Sequence, residues 1–249
     1  MSRDERAFQT PRLSVPAAPR ALAEGAMQVL GLMPNASNYT FLARCTAGSE
    51  ELLAIYKPRR GEIPLWDFPE GTLHRREVAA YEVARTLGWP NVPPTVLRGG
   101  PEGEGSAQLF IDADPEEHFF TLGADRAEDF RRVALFDLVV NNADRKAGHC
   151  LLDDDGTVWV IDHGVCFSDE PKLRTVIWGF VDEEISPSLR ADLERARAAL
   201  SPTGALRERL APLLASEEIR ATETRLDALL RGGTFPPPGP GRPYPWPPI

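Results

Sequence analysis

The sequence predicts an α+β fold in two parts, an antiparallel sheet with one long helix followed by a mostly helical second half. Three observations carry this. Short apolar runs separated by Pro, Gly, Asn and Ser fill residues 26–57, the pattern of strands joined by tight turns. A helical stripe at 73–87 is closed by Gly88 and Pro90, and three amphipathic helical stretches follow residue 188. With 249 residues, 42% of them hydrophobic and 26% charged, the chain can bury a core without metal or disulfide staples.

Residues 1–20 carry prolines and little apolar periodicity and read as a flexible N-terminal arm, with structure beginning near Ala21. Residues 26–45 read as two strands joined by a small-residue turn at 34–38, and 51–57 as a third. The helix at 73–87 comes next, then strands at 95–98 and 107–111. Residues 128–140 form a strongly apolar helix. A hairpin follows, 150–152 with 158–161, around the turn Asp155-Gly156. Helices at 189–200, 206–214 and 217–230 complete the second half. The Pro-rich tail over 234–249, which contains FPPPGPGRPYPWPPI, is polyproline-type and can wrap the domain or bind a protein partner.

Lys and Arg total 28 against 37 Asp and Glu, a net charge of -9, which repels a phosphate backbone and disfavours nucleic acid as a partner. The N-terminus lacks the apolar run of a signal peptide, and no stretch has the length of a membrane span. Three cysteines, Cys45, Cys150 and Cys166, are too few for a disulfide framework and read as free thiols in a cytoplasmic protein. There is no Gly-x-Ser-x-Gly elbow and no Walker A lysine. His149, Cys150, His163 and Cys166 lie close in sequence, but without the short Cys-x-x-Cys spacing of structural zinc sites.

Several residues break their local pattern. On the helix at 73–87, Leu73, Ala80, Ala84 and Leu87 share a face with Glu77, and a carboxylate inside an apolar stripe calls for a cation. The alternative is a narrower stripe with Glu77 at its solvent edge. A candidate partner is Lys57, which shares a strand face with Leu53 and Ile55; otherwise its ammonium snorkels outward. If Asp155-Gly156 is a two-residue loop, hairpin pairing sets His149 opposite Asp162, close enough for both to reach one ion. Asn141-Asn142-Ala143-Asp144-Arg145-Lys146 concentrates amides and charges where the apolar helix ends, as a site loop or a polar helix terminus does.

Strand lysine, helix glutamate, Asp-Arg-Lys loop and a hairpin ending in Ile161-Asp162-His163-Gly164 occur in the order of the protein-kinase-like superfamily. Over residues 27–167 the chain resembles the phosphatidylinositol 3-/4-kinase-like branch, which includes bacterial kinases of the HipA type. The resemblance implies a two-lobed fold with an N-lobe at 21–112, a reduced helical C-lobe at 113–233 and ATP in the cleft between them. By position, Lys57 would contact the nucleotide phosphates and be held by Glu77, and the turn at Ser37 and Asn38 would cover those phosphates. Phe110 and Ile111 would lead into the hinge whose backbone holds adenine.

Asp144 would orient or deprotonate the acceptor hydroxyl, Lys146 would steady the transferred phosphoryl group, and Asp162 would bind Mg2+. His149 stands where the family usually has a metal-binding asparagine, and an imidazole suits Mn2+ better than Mg2+. His163 replaces the usual phenylalanine. The implied function is an ATP-dependent phosphotransferase, an atypical kinase, acting on an unidentified protein or small-molecule hydroxyl. The alternatives are a pseudokinase that serves as a nucleotide-binding or interaction module, and an AMP transferase.

Overall fold

The structure, a computed structural model, describes residues 18–34 and 38–249, which fall into two compact units. The first comprises the chain up to Pro64 with Pro94–Phe110, and the second comprises Leu65–Pro93 with Ile111–Ile249.

The first unit is a five-stranded antiparallel sheet in the order β1-β2-β3-β5-β4, from β1 (Ala26–Leu32), β2 (Phe41–Ala47), β3 (Glu50–Pro58), β4 (Thr95–Gly100) and β5 (Gly103–Leu109). Strand alternation divides β3 between two faces. Leu52 and Ala54 join Cys45 and Ala107 under helix α1 (Ala18–Glu24), which contributes Ala18, Ala21 and Leu22. Leu53, Ile55 and Lys57 take the other face, as the sequence predicts, and Lys57 lies opposite Ser106 of β5. Gly105 makes that pairing possible, since a Cβ there would collide with the Lys57 carbonyl.

Two expectations change in this unit. Helix α1 takes in residues 18–20 of the segment read as an arm. Its proline, Pro19, lies in the first turn, where a missing N–H costs nothing. Strand β5 runs earlier than expected and stops at Leu109, so Phe110 and Ile111 lie beyond it, although the Phe110 N–H still donates to the Leu53 carbonyl at 3.0 Å.

The second unit is built on α2 (Leu73–Leu87), whose bounds match the sequence reading and which Gly88 closes at φ 85°. Its apolar face packs with α4 (Ala127–Val140), α5 (Pro187–Ala199), α6 (Ala205–Leu210), α7 (Ser216–Gly232) and the hairpin β6 (Cys150–Leu152) and β7 (Val158–Val160) in one continuous core. A short helix, α3 (Phe119–Leu122), was not expected. No helix among the described residues is long and apolar enough to cross a membrane.

The hairpin register corrects the sequence reading. Cys150 pairs with Val160 and Leu152 with Val158, one residue away from the predicted alignment, so His149 stands level with Ile161 rather than Asp162. The cause is local. Asp153 Oδ1 accepts from the N–H groups of Asp155 and Thr157, and Gly156 at φ 78° completes a three-residue loop where two were assumed.

Candidate functional site

The site of the second unit grows from the end of α4. Asn141 takes a left-handed conformation at φ 53°, which stops the helix and turns the chain into the loop at 142–149. That loop is anchored on Asp137, a carboxylate in the middle of an apolar helix. Asp137 and Arg145 are both fully buried, and both carboxylate oxygens accept from the guanidinium at 3.0–3.1 Å. Asp137 also accepts from Asn142 Nδ2 at 3.0 Å and Thr175 Oγ1 at 3.3 Å, so its lone pairs are filled. Burial pulls the Arg145 guanidinium down, but the Asp137 charge outweighs it and the net shift is upward.

Arg145 uses its remaining donors to tie the loop to the segment after β7. Its Nη1 donates to the Ile161 carbonyl at 2.9 Å and its Nη2 lies 2.7 Å from His163 Nε2. A guanidinium only donates, so His163 accepts at Nε2 and its ring is neutral with the proton on Nδ1. Glu77 completes the clamp. It is buried, and its Oε2 accepts from the His163 backbone N–H at 2.9 Å. Beside it, Arg76 donates to the Cys166 carbonyl and pairs with Glu218. The segment carrying Asp162 is thus held from α2 and from the loop at 142–149.

On this frame sit the candidate groups that the sequence singles out. The Asp144 N–H donates to Asn142 Oδ1 at 3.0 Å, and Asp144 Oδ2 lies 3.4 Å from Lys146 Nζ. Burial pushes the Asp144 carboxyl above its ordinary value and the Asp162 charge adds to the rise, against the pull of Lys146 and Arg174. Asp162 adopts φ 62°, a conformation in which Asp is one of the few tolerated residues. Its Oδ2 lies 3.4 Å from His149 Nε2, while His149 Nδ1 accepts from the Lys146 N–H at 3.3 Å. In that arrangement a neutral His149 carries its proton on Nε2, toward Asp162. The two residues meet although the register that predicted it is wrong, because His149 belongs to a 3-10 turn and Asp162 to a left-handed kink.

Asp144, Lys146, His149, Asp162 and Glu77 are therefore gathered in the second unit, which also holds Ile111. Lys57, Asn38 and Phe110 belong to the first unit, where Asn38 Oδ1 accepts from the Ile63 N–H at 2.8 Å. Ser37 lies outside the described residues. Sequence reasoning missed Asp137 and Thr175 and assigned Arg145 no role. The signal for Asp137 was present, a single carboxylate in the run Val133-Ala134-Leu135-Phe136-Asp137-Leu138-Val139-Val140, the same anomaly that singled out Glu77.

Cys150 and Cys166 are buried, and burial pushes the Cys150 thiol up to about 12 and the Cys166 thiol up as well, so neither is a nucleophile. No group of three or more His, Cys, Asp or Glu side chains gathers as a metal cage among the described residues.

No family model matches the chain. Protein Rv2133c of Mycobacterium tuberculosis is 40% identical over 261 aligned residues, covering 91% of this chain and 93% of that protein. Phosphatidylinositol 4-kinase gamma 4 of Oryza sativa subsp. japonica is 32% identical over 128 residues, 44% of this chain and 22% of the rice protein. Among solved structures, hydra Fam20 with sugar superposes with a TM-score of 0.58 at 16% identity, covering 87% of each chain. The Golgi casein kinase with Mn/ADP bound superposes with a TM-score of 0.57 at 16% identity, covering 87% of this chain and 74% of that one. The fold is protein-kinase-like, and the extent of its likeness to Protein Rv2133c places this chain in that protein's family.

Proposed function

We propose that the protein is an ATP-dependent phosphotransferase of the phosphatidylinositol 3-/4-kinase-like type, related to HipA-type kinases, that acts on a protein or small-molecule hydroxyl. The observation that carries this reading is the pairing of Asp144 and Lys146 on one loop with Asp162 and His149 beside it, inside a kinase-like fold.

Each residue has a task in that chemistry. Asp144, with its carboxyl raised above the ordinary range, accepts the acceptor hydroxyl's proton more readily than a solvated aspartate. The Lys146 ammonium, 3.4 Å from Asp144, supplies positive charge where the transferred group gains negative charge. By the same resemblance, Lys57 of the first unit would supply the cation for the nucleotide phosphates, Ser37 and Asn38 would cover them, and Phe110 and Ile111, which follow β5, would lead to the adenine. Glu77 holds the backbone behind Asp162 in place.

The donor set fits a divalent cation. Burial chiefly raises the Asp144 carboxyl and the nearby Asp162 charge adds to it, and a site of one or two carboxylates completed by substrate phosphates is how Mg2+ is usually held. Asp162 and His149 would hold the ion, and the imidazole tilts the choice toward Mn2+. When bound, the ion neutralises phosphate charge. The ring proton facing Asp162 must leave His149 for that nitrogen to coordinate.

Thermal unfolding with ATP and either Mg2+ or Mn2+, comparing the parent with Asp162→Asn, tests the reading. A ligand at 100 times its Kd stabilises by about 2.7 kcal/mol, a rise of several degrees that the variant should lose. The absence of a shift with any nucleotide overturns the phosphotransferase and leaves an interaction module, the outcome that the imidazole at position 149 favours. Where transfer follows, the product mass separates a phosphoryl group, about 80 Da, from an adenylyl group, about 329 Da.

A further inference from the structure

The polyproline tail approaches the loop that carries Asp144, Lys146 and His149. The Pro243 carbonyl accepts from the Thr175 N–H at 3.0 Å and from Trp178 Nε1 at 3.2 Å, and Pro245 is buried. The Pro248 carbonyl accepts from the Ala147 N–H at 2.8 Å, and a Cβ on Gly148 would meet Ile249 Cγ2 at 4.0 Å. Tyr244 and Trp246 remain 50% and 75% exposed, so the contacts are made by backbone and prolines rather than by the aromatic rings.

The two anchors close a ring. Arg145 donates its N–H to the Arg174 carbonyl at 2.9 Å and accepts from the Val176 N–H at 3.1 Å, so the loop is stitched on one side to 174–176. The tail grips 175 and 178 with Pro243 and returns to Ala147 with Pro248. Ala147 begins the 3-10 turn that ends in His149, and its N–H is one that the turn itself leaves without an acceptor. Ala147 is fully buried, so this donor needs a partner inside the protein. A proline-rich segment suits the task, because prolines have no N–H to compete for its carbonyls and their fixed φ reduces the entropy lost on docking.

We propose that residues 242–249 are a positioning strap for the loop at 144–149, setting Lys146 and His149 in register with Asp144 and Asp162. The part of this inference that concerns turnover rests on the phosphotransferase reading; the part that concerns loop order does not. The strap touches no reacting atom and acts only through the loop.

Two variants of the full chain test it, a truncation after Gly241 and Ala147→Pro. The second removes the one N–H that Pro248 accepts, and Lys146 at φ -87° and ψ 162° already has the extended conformation a residue before proline requires. Amide hydrogen exchange of peptides across 143–150 should accelerate at least tenfold in both variants, while the urea midpoint stays close to the parent's. Unchanged exchange overturns the strap. In a transfer assay, kcat should fall at least tenfold with the KM for ATP unchanged, and parental kcat alongside faster exchange overturns the positioning role. Should the truncation fail to fold, Ala147→Pro decides on the same readouts. Should the parent show no thermal shift with any nucleotide, the phosphotransferase reading falls, and the exchange data alone uphold or overturn the strap as a brace.

Discussion

Replacing Asp137 by Asn tests the physics of the loop anchor most directly. The carboxylate and the Arg145 guanidinium are both fully buried, and Asp137 accepts from Arg145, Asn142 and Thr175 at 3.0–3.3 Å. The amide keeps the volume but removes the charge, and it turns one acceptor oxygen into an NH2 group that faces donors. What remains is a guanidinium in a low-dielectric interior with no counter-charge, a situation that costs about 3–5 kcal/mol when one partner of a buried pair is removed. With a urea slope of about 3 kcal/mol per molar for a chain of this size, the midpoint should fall by about 1 to 2 M, read by tryptophan fluorescence and far-UV circular dichroism. The paired replacement Asp137→Leu with Arg145→Met leaves no buried charge and should be less destabilising than either single change, with transfer still lost because the loop has no anchor. A midpoint change below about 0.3 M for Asp137→Asn, or simple additivity in the double variant, refutes the argument.

Other outcomes follow from the same geometry. Asp144→Asn should abolish transfer yet raise the melting temperature in metal-free buffer at pH 7, because it removes a carboxylate whose charged form burial and Asp162 disfavour. The sign follows from linkage: the folded state binds this proton more tightly than the unfolded chain, so parental stability falls as pH rises from 3.8 through the folded value and stays lower above it. The advantage of the variant should therefore vanish below pH 3.8, and a variant less stable than the parent at pH 7 contradicts the assignment. His149→Asn should move metal preference from Mn2+ toward Mg2+ in a thermal titration with ATP, and an unchanged preference removes His149 from the ligand set. Cys150 and Cys166 should resist Ellman's reagent at pH 8 in the native state and react once the chain is unfolded, since burial pushes the Cys150 thiol up to about 12 and the Cys166 thiol well up too, leaving almost no thiolate at that pH.

The legible features were those written in local spacing. Helix α2 was readable to the residue, because its apolar stripe repeats with the helical period and Gly88 supplies the left-handed stop. Glu77 was readable as a charge out of place in that stripe, and it proves to be buried and bonded to the His163 backbone. Asp137 carries the same mark, a lone carboxylate in an apolar helix, but the cation that answers it lies eight residues on, past the helix end, where no helical spacing pairs them. Helix α1 was lost to the prolines around it, which signal irregular chain in general but also suit a first helical turn. The hairpin register failed on one side chain, as Asp153 bonds two N–H groups and lengthens the loop by a residue.

Period, strand alternation and charge placement are properties of neighbouring residues, so local spacing is enough for helix α2, for the face of β3 that bears Lys57, and for the segments from which a site is assembled. The partners within that site were decided only by tertiary structure. Arg145 meets Asp137, His163 and the Ile161 carbonyl because three separate segments converge on one buried guanidinium. The Pro248 carbonyl meets the Ala147 N–H because a tail with no internal hydrogen bonds can satisfy a buried donor distant in the chain. Every residue carries a backbone carbonyl, so nothing in the identity of Pro248 marks its own as the one that is used; burial of the donor made that choice.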